Sequence, residues 1–99
     1  MASYSLSKKA LSDLSAIWEY TVDKWSERQA DKYYFMLLTA CQELADGKVS
    51  GKLYPDVQAG IAGFRTGQHI LFYRKQSAGN IVIVRILHEQ MDLKNNFEK

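Results

Sequence analysis

Ninety-nine residues, 46% hydrophobic and 24% charged, describe one folded domain spanning 1–99 and exclude a disordered chain. A net charge of +2 is too small to imply a partner by itself, and a lone cysteine, Cys41, excludes an internal disulfide and a cysteine-anchored zinc site. The opening MASYSLSKKA has no apolar core of signal-peptide length, and runs such as Ile81 to Val84 fall far short of the ~20 residues of a membrane helix, so the chain is expected in the cytoplasm.

In chain order, Tyr4 to Leu6 can form a short first strand. Ser7 then offers an N-cap, and Ala10, Leu11, Leu14, Ile17, Trp18, Thr21, Val22 and Trp25 recur at three- and four-residue steps, the period of an amphipathic helix. Trp18 is expected in the core of that stripe and Trp25, at the helix end, in contact with a partner. A second helix opens at Ser26, with Gln29 at capping-box spacing, and carries the stripe Ala30, Tyr33, Tyr34, Leu37, Leu38, Cys41, Leu44 and Ala45 up to Gly47. With one or two residues left for a turn, the two helices must form an antiparallel hairpin.

Gly47 to Gly60 reads as loop, punctuated by Gly51, Pro55-Asp56 and Gly60. Three strands follow, at Ile61–Thr66, His69–Gln76 and Ile81–His88, separated by a tight turn at Gly67 and by Ser77-Ala78-Gly79-Asn80. Glu89 to Lys99 reads as a short helical turn or a tail. The fold class is therefore α+β, a helical hairpin on a small, mostly antiparallel sheet in the order β-α-α-β-β-β. Along the last strand, simple alternation points Val82, Val84 and Ile86 one way and Ile81, Ile83 and Leu87 the other, so both faces are apolar. Two helices cover only one of them, and the other needs Leu93 and Phe97, a second copy or another protein.

Charge is uneven. Residues 1–56 hold seven Lys/Arg and eight Asp/Glu, residues 57–99 hold six and three, and no acid lies between Val57 and His88. That stretch contains the basic-aromatic set Arg65, His69, Tyr73, Arg74, Arg85 and His88, suited to an acidic peptide or a nucleic-acid backbone. Such a set can also serve a metal-free ribonuclease, with arginines on the phosphorane charge and a histidine or tyrosine moving protons. Strand alternation, however, separates Arg74 from His69, Tyr73 and Lys75, so the set does not obviously converge. The spacing of His69 and His88 matches no metal motif, the glycines near Gly63 lack the lysine of a phosphate loop, and Cys41 lies on an apolar helix stripe. No cofactor site and no catalytic residue is expected.

The ordered set Asp13-Leu14, Ile17-Trp18-Glu19-Tyr20-Thr21 and Trp25, then Gln29-Ala30, Tyr33 and Leu44-Ala45, then Gly63-Phe64-Arg65, His69-Ile70 and Phe72-Tyr73-Arg74 resembles the ParE toxins of the RelE/ParE superfamily. The ending Arg85-Ile86-Leu87-His88 with Met91-Asp92 is its most telling piece, and the resemblance runs from about Leu6 to Asp92. It implies the toxin of a type II toxin–antitoxin pair. Such a toxin is neutralised by a cognate antitoxin, commonly a ParD-like ribbon-helix-helix protein, and stabilises the cleavage complex of DNA gyrase when freed. It is not itself an enzyme and meets DNA only through gyrase or the antitoxin. Trp25, Arg28, Arg65, His69, Tyr73, Arg74, Arg85 and His88 are the expected contacts to gyrase or antitoxin. The alternative on the same fold is a RelE-like, ribosome-dependent mRNA endonuclease. Those enzymes usually carry a C-terminal Tyr or His-Tyr, whereas here His88 is followed by Glu89-Gln90 and a tail without tyrosine.

Overall fold

The computed structural model describes residues 2–99. Strand β1 (Tyr4–Leu6) leads into helix α1 (Lys8–Lys24), and α2 (Glu27–Ala45) follows directly. Both helices start where their serines allow: the Ser7 hydroxyl accepts from the Ala10 N–H and the Ser26 hydroxyl from the Gln29 N–H, each at 3.0 Å. Gly47, at φ +76°, ends α2, and Gly47 and Lys48 donate back to the carbonyls of Leu44 and Glu43. Among the described residues, no helix is long and apolar enough to cross a membrane.

The remaining elements are β2 (Lys52–Leu53), β3 (Ala62–Thr66), β4 (His69–Lys75), β5 (Ile81–His88) and α3 (Leu93–Glu98). The sheet order is β1-β5-β4-β3-β2, with β1 parallel to β5 and every other pair antiparallel. Two additions to the expected order appear. The segment read as loop contributes β2, two exposed residues held against Ala62 and Gly63, too short to show an alternation. The C-terminal segment takes the helical of its two readings, capped by the Asp92 carboxylate on the Asn95 N–H.

A bulge revises the last strand. Tyr73 pairs with Ile83 but Phe72 with Arg85, which leaves Val84 as the extra residue. Beyond it the sides exchange: Ile86 joins Ile81 and Ile83 beneath the helices, and Leu87 joins Val84 on the opposite face. Simple alternation places Ile86 and Leu87 the other way round, because one inserted residue inverts every later side chain.

Two apolar layers result. Leu14, Leu37, Cys41, Leu71, Tyr73 and Ile83 fill the space between hairpin and sheet. Burial pushes the Cys41 thiol up to about 12, which fits a core residue and not a nucleophile. On the other face Phe97 and Leu93 of α3 pack with Ile70, Phe72 and Leu87, so the chain covers its own second face. Truncation of Phe97 to Ala should therefore cost about 3 kcal/mol in chemical denaturation. Leu11→Ala, on a half-exposed residue, should stay within about 0.5 kcal/mol of the parent. Equal losses would mean that α3 is not part of the core.

Candidate functional site

Past Ile83, β5 has no strand on its outer side, because β1 ends at Leu6. Its backbone polar groups must find other partners there. The start of α1 supplies them: the Ser7 N–H donates to the Ile83 carbonyl at 3.0 Å and the Ser7 hydroxyl to the Val84 carbonyl at 2.7 Å. Further along the helix, Oδ2 of Asp13 accepts the Ile86 N–H at 3.0 Å.

The same carboxylate holds Arg85 in a two-pronged pair, Nε to Oδ2 at 2.8 Å and Nη2 to Oδ1 at 2.9 Å. Nη1 of Arg85 donates to the carbonyls of Asn96 and Phe97 at 2.6 and 3.2 Å, in the last turn of α3. The cation thus meets a carboxylate on one side and the negative end of a helical turn on the other. The side chains of Arg85 and Asp13 are only 11% and 15% exposed, and the bonds to Asp13 raise the arginine's pKa further. Arg85 is therefore not the free basic charge on the sheet edge that the sequence suggests, because its charge is matched internally.

Beside this pair, α1, the end of β5 and the segment before α3 enclose a groove of about 1070 Å³. Ile17, Tyr20 and Trp25 line its helical wall, and His69, His88 and Met91 line the opposite side. Trp25 is 75% exposed at the mouth, and Tyr20 and Met91 are also exposed, an unusual concentration of large apolar side chains for a free surface.

At the floor, His69 and His88 lie directly opposite in the β4–β5 ladder, their rings edge to face at 5.3 Å. Tyr33 of α2 completes the cluster: its hydroxyl accepts from the Gln68 N–H at 3.0 Å and is hydrogen-bonded to Nδ1 of His69 at 2.5 Å. His88 uses Nδ1 to accept the Gln90 N–H at 3.1 Å, which leaves its proton on Nε2, facing away from that bond. Burial, reinforced by His88, lowers the pKa of His69 to about 4 against a weaker opposing pull from Asp13. At neutral pH His69 is therefore uncharged.

The remaining expected contacts scatter. Arg65 is exposed on β3 and pairs with Glu89 at 2.5 Å, so an acid just outside the acid-free stretch neutralises a cation inside it. Tyr73 is only 5% exposed, and its hydroxyl accepts the Gly51 N–H at 2.9 Å, which makes it a strut between β4 and the loop before β2. Arg74 lies half-buried near Gly60, and Arg28 is exposed at the start of α2. Of the eight expected residues, the groove brings together Trp25, His69, Arg85 and His88. Asp13 and Tyr33 are site residues that sequence reasoning misses. A carboxylate three residues after Ala10 and one before Leu14, inside an apolar stripe, is the signal that demands a buried partner.

The His69 shift has a measurable consequence. An unfolded histidine near 6.5 takes up a proton that the folded one refuses until about pH 4, so stability should fall as pH drops across that window. With part of the ring open to solvent, the loss is about 2 kcal/mol. Denaturation midpoints at pH 7 and pH 4.5 should show it, and His69→Gln, which keeps a hydrogen-bonding group beside Tyr33, should remove that share of the slope. An unchanged slope in the variant would mean that His69 takes up its proton in the fold at the same pH as in the unfolded chain.

Comparison with known proteins agrees with this architecture along almost the whole chain. Residues 4–93 match the family model described as ParE toxin of type II toxin-antitoxin system, parDE. Toxin ParE1 of Mycobacterium tuberculosis is 36% identical over 93 residues, covering 94% of this chain and 95% of its own. Toxin ParE1 of Caulobacter vibrioides is 31% identical over 94 residues, covering 95% and 96%. Among solved structures, a chain of the chromosomal ParDE system from P. aeruginosa superposes with a TM-score of 0.72 at 22% identity, over 89% of this chain and 96% of that one. A chain of the RelBE2 toxin–antitoxin complex of Mycobacterium tuberculosis shares the fold at a TM-score of 0.55 and 21% identity, over 89% and 98%. The chain belongs to the ParE toxin family of type II toxin–antitoxin systems.

Proposed function

We propose that this toxin acts in the cytoplasm by binding DNA gyrase and stabilising its cleaved complex with DNA, and that a ParD-like antitoxin neutralises it by occupying the groove between α1 and the end of β5. The observation that carries the reading is the family match from residue 4 to 93. The geometry supports it in two ways. The groove offers Tyr20, Trp25 and Met91 as exposed anchors for a partner segment. Two of the expected cations are already paired, Arg85 with Asp13 and Arg65 with Glu89, which suits a binding surface better than a site that must stabilise a phosphorane.

A poison of this kind needs only to bind the cleaved state better than the resealed one. A preference of about 1.4 kcal/mol raises the cleaved-to-resealed ratio tenfold. Supercoiling reactions with purified gyrase and the antitoxin-free chain, stopped with detergent and protease, should yield linear DNA only when both proteins are present. Prior addition of the antitoxin should suppress it. Linear DNA without gyrase would reveal a nuclease, intact DNA at stoichiometric excess would rule out gyrase as the target, and cleavage of ribosome-bound message lost in His88→Ala would assign the RelE-like activity instead.

A further inference from the structure

The outer side of the helical hairpin carries a second concavity, a notch of about 370 Å³ that shares no lining residue with the groove. It exists because Ser15 is small. Its neighbours, Trp18 and Glu19 on α1 and Asp31, Tyr34 and Phe35 on α2, are large and stand around a space that Ser15 leaves open. Trp18, expected in the core, is half-buried here and lies outside the core cluster. Its indole N–H donates to Oδ1 of Asp31 at 3.0 Å, which holds the ring across the helix junction as one wall. Phe35, 62% exposed, forms another, braced edge to face against Tyr34 at 5.6 Å.

Two carboxylates therefore sit among three aromatic rings. Among the described residues neither Glu19 nor Asp31 forms an ion pair, in a chain whose Lys and Arg outnumber its acids. Negative charge beside aromatic faces is the chemistry that recognises a cation. A planar guanidinium fits this arrangement better than a compact ammonium, since it can stack on Trp18 or Phe35 while its fork of donors reaches both carboxylates.

We infer that the notch is a docking point for an arginine side chain of a partner polypeptide, on a face of the hairpin separate from the groove. It is independent of the gyrase reading, because the binding is measured on the isolated full chain without any toxicity assay.

N-acetyl-arginine amide, titrated into the isotope-labelled chain, should shift the indole N–H resonance of Trp18 saturably and leave that of Trp25 in place. N-acetyl-citrulline amide, the same shape without the charge, should not. Glu19→Gln with Asp31→Asn should weaken binding at least about tenfold. Ser15→Phe should abolish it by filling the space while leaving both carboxylates. These positions are exposed, so circular dichroism should show both variants folded, and if one of them fails to fold the other alone decides the question. A response matched by the citrulline compound, a shift that never saturates, or full binding by Ser15→Phe would overturn the assignment.

Discussion

The carboxylate of Asp13 does three tasks at once: it terminates an open strand edge, neutralises a buried arginine and ties the first helix to the last. It accepts the Ile86 N–H on the side of β5 that β1 is too short to cover. Through Arg85 it is linked to the carbonyls of Asn96 and Phe97, and so to the helix that seals the second face of the sheet. A pair this enclosed does not stabilise by Coulomb attraction alone, since desolvation offsets most of the gain. Removing one partner, however, leaves a buried charge uncompensated, which costs far more. Its value is geometric, because it fixes where α1 and α3 lie against β5, and with them the α1 wall of the groove and the segment leading into α3.

The bulge at Val84 belongs to the same device. Without it Arg85 would be followed by side chains of inverted sense, with Leu87 beneath the hairpin and Ile86 against α3. With it, Ile86 fills the helix-side core while its N–H meets Asp13. Bulges commonly sit where a strand must re-aim side chains near a functional surface. Here the strand bends just before His88 joins His69 and Tyr33 on the groove floor.

Much of this is legible in the residues. Ser7, Ser26 and Gly47 mark the helix ends by local backbone chemistry, and local chemistry reads directly from sequence. Residue patterning places the strands β3 to β5 within a residue at each end and puts Cys41 in the core. What escapes is long-range. Counting charges finds an acid-free stretch but not its partners, since Asp13 lies 72 residues from Arg85 and Glu89 just outside the window. The sequence therefore overstates the free cations of the site. It also places Trp18 in the core, because helical periodicity shows which residues share a face and not how far a second helix covers it.

The clamp can be tested by a double-mutant cycle on Asp13→Ala and Arg85→Ala, followed by chemical denaturation and by hydrogen exchange of the α3 amides. Each single variant should lose about 3 kcal/mol and deprotect α3, because each strands a charge or leaves the Ile86 N–H and the α3 carbonyls unmet. The double variant should then lose little more than either single one, a coupling of about 2 kcal/mol or greater. Losses that simply add, with α3 amides still protected in both single variants, would show that the pair holds neither the helix nor the groove in place.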